Sequence, residues 1–320
     1  MAQNKPYELI TKYRMAIFGF AQLWIFFRHT FYFNDYHYGI FDGLIQIGDC
    51  GVDIFMFLSG FGLFFSYQKS QGLFAFYKKR VLRIVPTFIF LIIIFRIIYA
   101  LTHGGGYLSL LNPLWWANMV YNKYWFIGAI LLLYFSYPII FKLVKHNIYL
   151  SLIVALFIAF GGLFLLRLVN IERLNQLALY FARVPIFVTG AIFAYYQDLF
   201  NKKKIIILSF ILSIPLIMFL PKDFQRVSYG LVTIGIITYL PIFLNILPQY
   251  IIRYLNVVGL SSLEFYLIHI FLFSYGMLSY IDRYIPYWAC TILVLIFISI
   301  LSFCANKMIT QLIQLINVKK

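Results

Sequence analysis

Two sets of residues in this 320-residue chain combine types and spacing that chemistry can use. Arg28 and His29 close an apolar run in FFRHTFYF, and Arg14 opens the same run fifteen positions earlier. At 1.5 Å per residue, one helix would hold Arg14 and His29 roughly 22 Å apart, towards opposite ends. Imidazole titrates closer to neutrality than other side chains, so His29 can act as a general base on a hydroxyl. A merely hydrogen-bonded histidine is the alternative, as a snorkelling cation is for Arg28. In FYKKRVLRIVPTF, Arg80 and Arg83 stand at i and i+3, which on a helix aims both guanidinium forks from one face. That pair suits a phosphate-bearing ligand. Lys78 and Lys79 fit the plainer reading of a basic collar, and Pro86 is expected to bend or restart the helix.

Other ionisable groups lie within apolar surroundings, where each costs a few kcal/mol and points to function or to a structural ion pair. Asp53, in GVDIFMFLSG, is placed to face His29 and orient its imidazole, or to sit at a helix N-terminus favoured by the dipole. Gly51, Gly60 and Gly62 with Ser59 permit close backbone approach there. Glu264 and His269 share one helix in SSLEFYLIHIF and are expected to line a cavity or to pair with Arg96 or Arg183. Trp125 and Tyr124 read as interface anchors or as ligand contacts.

The elements that must carry these residues follow from composition. Hydrophobic residues make up 63% of the chain, charged residues 11%, and mean hydropathy is +0.88, values of an integral membrane protein. The expected fold is all-α and polytopic, a single domain over 1–320 with no appended soluble domain. About ten transmembrane helices are predicted, near 15–33, 51–67, 84–102, 125–143, 148–166, 177–197, 205–220, 227–247, 255–279 and 286–314. The first reads as a retained helix, not a cleaved leader. No helix broken within the membrane is expected.

The net charge of +16 is explained by topology. With the N-terminus inside, 17 of the 26 basic residues, among them Lys5, Lys12, Lys69 and Lys202 to Lys204, fall on the cytoplasmic side and six outside. Both termini are therefore expected in the cytoplasm, with the basic surface facing anionic lipid. No nucleic-acid module is present in the pattern. Cys50, Cys290 and Cys304 are unclustered, so neither a metal site nor a redox pair is expected. HExxH, GxSxG, P-loop and GxGxxG motifs are absent, which removes the corresponding hydrolase and nucleotide-motor readings.

Taken in order, the first-span Arg14 to His29, GVDIFMFLSG, KKRVLRIVP, YWFIGAILLLYFSYP, RVPIFVTG and SSLEFYLIH resemble acyltransferase family 3, the polytopic membrane acyltransferases that modify glycans and other hydroxyl acceptors. The resemblance implies transfer of an acyl group, usually acetyl, from cytoplasmic acetyl-CoA to a saccharide or glycolipid hydroxyl at the outer face of a bacterial cell membrane, without a metal. It makes His29 the catalytic histidine and gives Arg14, Arg80 and Arg83 to the CoA phosphates, and the placement of Asp53 read above makes it the expected catalytic helper of His29. Arg28, Trp125, Arg183, Glu264 and His269 are the expected substrate contacts. The interval from Arg14 to His29 exceeds the family's usual one by roughly one helical turn. The competing reading from another class is a flippase or exporter of a lipid-linked saccharide, which needs neither the histidine nor CoA.

Overall fold

Long apolar stretches whose only breaks are short polar segments have one stable backbone state in a membrane, the helix, because it satisfies its own N–H and C=O groups. The computed structural model describes residues 6–102, 112–169 and 175–318. Within them run α1 (Pro6–Asn34), α2 (Asp42–Gln46), α3 (Cys50–Gln68), α4 (Leu73–Thr102), α5 (Pro113–Asn118), α6 (Trp125–His146), α7 (Ile148–Val169), α8 (Asn175–Tyr195), α9 (Lys203–Phe219), α10 (Lys222–Leu244), α11 (Gln249–Leu260), α12 (Ser262–Ser274), α13 (Met277–Ile281) and α14 (Tyr287–Val318). No strand occurs among the described residues, and the protein is an all-α polytopic membrane protein.

Each of the ten expected spans lies on this set. Among the described residues, seven segments are long and apolar enough to cross a membrane unaided, those of α3, α4, α6, α7, α8, α10 and α14. An eighth exists if α11 and α12 count as one, but they meet at a 75° bend, so the span expected over 255–279 is a broken helix. The turn sits at Ser261, two residues after Gly259, with no proline in either helix. The two remaining segments do not qualify alone. α9 is apolar over Ile206–Phe219 only. α1 is 29 residues long but carries Lys12, Arg14, Gln22, Arg28 and His29, a polar load tolerable because α3, α10, α11 and α12 all pack around it.

Two pairs of glycines set the closest helix contacts. Gly60 of α3 rests on the backbone of Phe187 in α8, and Gly190 of α8 rests on the backbone of Phe57. Likewise Gly19 of α1 meets the Leu255 carbonyl of α11, while Gly259 of α11 meets that of Met15. A Cβ at any of the four would strike backbone, so only glycine allows these crossings. α4 passes through Pro86 without interruption, against the expected restart. In a bundle, neighbouring groups compensate for the hydrogen bond a proline removes.

Candidate active site

α1 is the axis of the site. Arg14, Phe18, Gln22, Ile25 and His29 recur every three or four residues, so they share a face, and all line one cavity of about 400 Å³. The opposite walls come from α3, α4, α6, α8, α10 and α12 and from the turns that precede α3 and α6. The cavity therefore joins the Arg14 end of the bundle to the His29 end.

At the first end stand Arg14, Arg80, Arg83 and Tyr134. Arg14 Nη2 donates to the carbonyl of Leu58 at 3.2 Å, and its guanidinium occupies the space that a side chain at position 62 would fill, so Gly62 is the seat of Arg14. Arg80 Nη2 donates to Ser66 Oγ. The charges of Arg80 and Arg83 both act on Arg14, which makes the three guanidiniums one electrostatic group. Glu264 is buried outside the cavity wall, its Oε1 accepting from Asn306 Nδ2 at 3.1 Å.

At the other end His29 Nδ1 lies 2.8 Å from Nε2 of His269, with the rings stacked 5.1 Å apart. The broken helix makes this meeting possible. α11 lies on α1 through the glycine pair, turns at Ser261, and sends α12 towards the far end of α1. There α12 is pinned by Tyr124 Oη, which donates to the Leu267 carbonyl at 3.4 Å, and by its own Tyr266 Oη, which donates to the Lys123 carbonyl at 3.3 Å.

Asp53 does not serve His29. Its Oδ1 lies 3.6 Å from Arg183 Nε, both side chains almost wholly buried, and the Arg183 guanidinium lies 5.1 Å from the ring centre of Trp125. Glu264 and His269, expected to line a cavity or to pair with Arg96 or Arg183, are not on the cavity wall and do not pair with Arg183: the Glu264 side chain bonds to Asn306, and that of His269 to His29 and the Phe265 carbonyl. Arg28 lines the cavity, with its guanidinium over the rings of Phe31 and Tyr32.

Residues the sequence reading passed over complete the wall: Gln22, Asp49, Lys123, Gln176, Arg226 and Tyr266. Gln22 could have been found, because it falls on the stripe from Arg14 to His29. The cavity wall holds seven basic side chains, Arg14, Arg28, Arg80, Arg83, Lys123, Arg183 and Arg226, against one carboxylate, Asp49. Such a wall selects an anionic ligand. Among the described residues no three His, Cys, Asp or Glu side chains stand together as a metal cage.

A family model described as an acyltransferase domain matches residues 19–305, nearly nine-tenths of the chain. The chain belongs to acyltransferase family 3. It is a membrane acyltransferase, with a donor and an acceptor to bind and several apolar helices to hold it in the bilayer. The match begins at Gly19, so Arg14 lies before it, while His29, Asp53, Arg80, Arg83, Trp125, Arg183, Glu264 and His269 lie inside it. No curated protein and no solved structure matches this acyltransferase.

Proposed function

We propose that this acyltransferase moves an acetyl group from cytoplasmic acetyl-CoA to a hydroxyl of an extracytoplasmic or lipid-linked saccharide in a cell membrane, both termini lying in the cytoplasm. One observation carries the reading: a single cavity connects the Arg14, Arg80 and Arg83 cluster with His29. The guanidiniums suit phosphates at a membrane surface. The imidazole suits proton removal from a hydroxyl.

On this reading the nucleotide end of the donor binds among Arg14, Arg80 and Arg83, and its uncharged thioester arm reaches along α1 towards His29. The acceptor comes from the opposite end, past Arg28, Lys123 and Arg226. His29 removes the hydroxyl proton while the oxygen attacks the thioester carbonyl, a direct transfer with no acyl-enzyme. Asp53 neutralises Arg183 and so shapes the wall under Trp125; it is not the partner of the base.

The test uses purified protein in detergent, with acetyl-CoA binding measured by calorimetry and turnover by thiol release. Wild type is expected to bind and slowly hydrolyse acetyl-CoA. The double variant Arg80→Ala, Arg83→Ala should lose binding, and His29→Ala should bind without turnover. Wild-type protein that neither binds nor hydrolyses acetyl-CoA would leave the saccharide carrier as the better account, and a stable acylated protein trapped without acceptor would overturn direct transfer.

A further inference from the structure

A neutral imidazole has one donor and one acceptor nitrogen, so a hydrogen bond to one decides the state of the other. His269 Nδ1 lies 2.8 Å from the carbonyl oxygen of Phe265, one turn earlier on α12. A carbonyl oxygen only accepts, so Nδ1 of His269 carries the proton. Its other nitrogen, Nε2, faces Nδ1 of His29 at 2.8 Å, a distance at which one of the two donates to the other.

A doubly protonated His269 could donate from both nitrogens, but its surroundings oppose that state. The side chain is fully buried, with the rings of Phe26, Phe265, Tyr266 and Phe273 between 5.6 and 6.4 Å from its own. No carboxylate among the described residues bonds to it, and Arg28 adds a second positive charge next to His29. An unpaired cation in such a place is strongly disfavoured. Nε2 of His269 is therefore the acceptor, and Nδ1 of His29 is the donor. That leaves the lone pair on Nε2 of His29, which has no hydrogen bond to any described residue, on a side chain that lines the cavity.

We propose that His269 is the positioning residue of the transfer reaction: through the carbonyl of Phe265 it fixes His29 in the Nδ1–H tautomer and so presents Nε2 as the base. This rests on the acyltransferase reading above. In the reaction Nε2 of His29 takes the hydroxyl proton as the acceptor oxygen bonds to the thioester carbon. When the tetrahedral adduct collapses, the C–S bond breaks and Nε2 returns the proton to the departing thiolate. One hydroxyl and one thioester become one ester and one thiol, and His29 ends as it began. The proton on Nδ1 stays in place throughout, and its bond to His269 becomes charge-assisted while His29 is cationic. A neutral imidazole thus fills the place that a carboxylate holds in a serine-hydrolase triad.

The experiment compares wild type, His29→Ala, His269→Leu and His269→Gln, all full-length in detergent, with acetyl-CoA as the probe. It reads thiol release at varied acetyl-CoA concentration, together with the melting temperature. Glutamine keeps an oxygen able to accept from His29 Nδ1; leucine keeps only bulk. His269→Leu is expected to lower kcat about 10- to 100-fold at unchanged KM, the loss typical of removing a group that orients a histidine. His269→Gln should recover most of that loss. If His269→Leu fails to fold, His269→Asn, whose amide stops short of His29, replaces it.

A wild-type kcat in His269→Leu, or a His269→Gln no faster than His269→Leu, would overturn the positioning role. An inactive His29→Ala beside a fully active His269→Leu sinks that role alone. Turnover in His29→Ala equal to wild type, or none in wild type, sinks the underlying acyltransferase reading as well.

Discussion

Arg183 Nε and Asp53 Oδ1 stand 3.6 Å apart at the contact of α3 and α8, 3% and 1% exposed. Their burial makes the pair a structural requirement before anything else. Removing one partner strands the other charge, which costs about 3–5 kcal/mol, whereas replacing both with apolar residues of similar volume is often neutral. Asp53→Ala is expected to lower the melting temperature in detergent clearly. The double variant Asp53→Leu, Arg183→Met should regain most of it. If Asp53→Ala melted as wild type and only lost turnover, Asp53 would belong to the chemistry after all.

The same α3 and α8 contact gives a sharper prediction. Gly60 and Gly190 each face backbone of the opposite helix, so a side chain at either must separate the helices. Gly60→Val and Gly190→Val are expected to abolish folded protein, read as loss of the monodisperse peak in size-exclusion chromatography. Gly128 on α6 has open space around its Cα, and Gly128→Ala should behave as wild type. Equal tolerance at all three sites would contradict the close crossing.

How much of this was legible in the sequence depended on whether the information was local. The helices were, because roughly 20 apolar residues with short polar breaks have little alternative in a bilayer. Arg14, Arg80, Arg83 and His29 were legible because a charge or an imidazole in an apolar run stands out. The partners were not. Asp53 was expected opposite His29 from its nominal depth, but depth says nothing about rotation, and α3 turns that carboxylate towards Arg183 on α8. The contact of His29 with His269 spans 240 residues and depends on the bend at Ser261, and Gly259 two residues earlier reads equally well as a packing glycine. Gln22 was in view on the cavity stripe and was passed over because a single amide attracts less attention than a charge.

Outside the spans, His37 supplies a pH dependence. Its Nδ1 lies 2.9 Å from Asp42 Oδ2 and its Nε2 lies 3.4 Å from Asp35 Oδ1, while Tyr287 Oη donates to its carbonyl at 2.8 Å. The hydrogen bond to Asp42, with the charge of Asp35, raises the His37 pKa above its ordinary value. A raised pKa means that the folded loop favours the protonated ring. The stabilisation is complete below the ordinary histidine value and fades as pH rises through the raised one. Protease cleavage between residues 35 and 41 is therefore expected to speed up as the pH is raised through neutrality, in a step that His37→Phe removes. A cleavage rate flat from pH 5 to pH 9 would show that the two carboxylates do not hold this loop through His37.

Arg14 lies just before the matched region, and its seat on Gly62 gives a way to move it without deleting it. Its guanidinium is held by the Leu58 carbonyl over Gly62. A methyl group at position 62 collides with that guanidinium and leaves the rest of α3 unchanged, so Gly62→Ala should displace Arg14 without deleting it. If Arg14 holds donor phosphate, Gly62→Ala and Arg14→Ala raise the KM for acetyl-CoA alike. A lost hydrogen bond between charged groups is worth about 1.5–3 kcal/mol, which corresponds to roughly 10- to 100-fold. Combining the two variants adds nothing further, because both remove one interaction. Initial rates against acetyl-CoA concentration for the two singles and the double decide it. Additive losses in the double variant would place Gly62 and Arg14 in separate roles, and an unchanged KM in Arg14→Ala would leave phosphate binding to Arg80 and Arg83 alone.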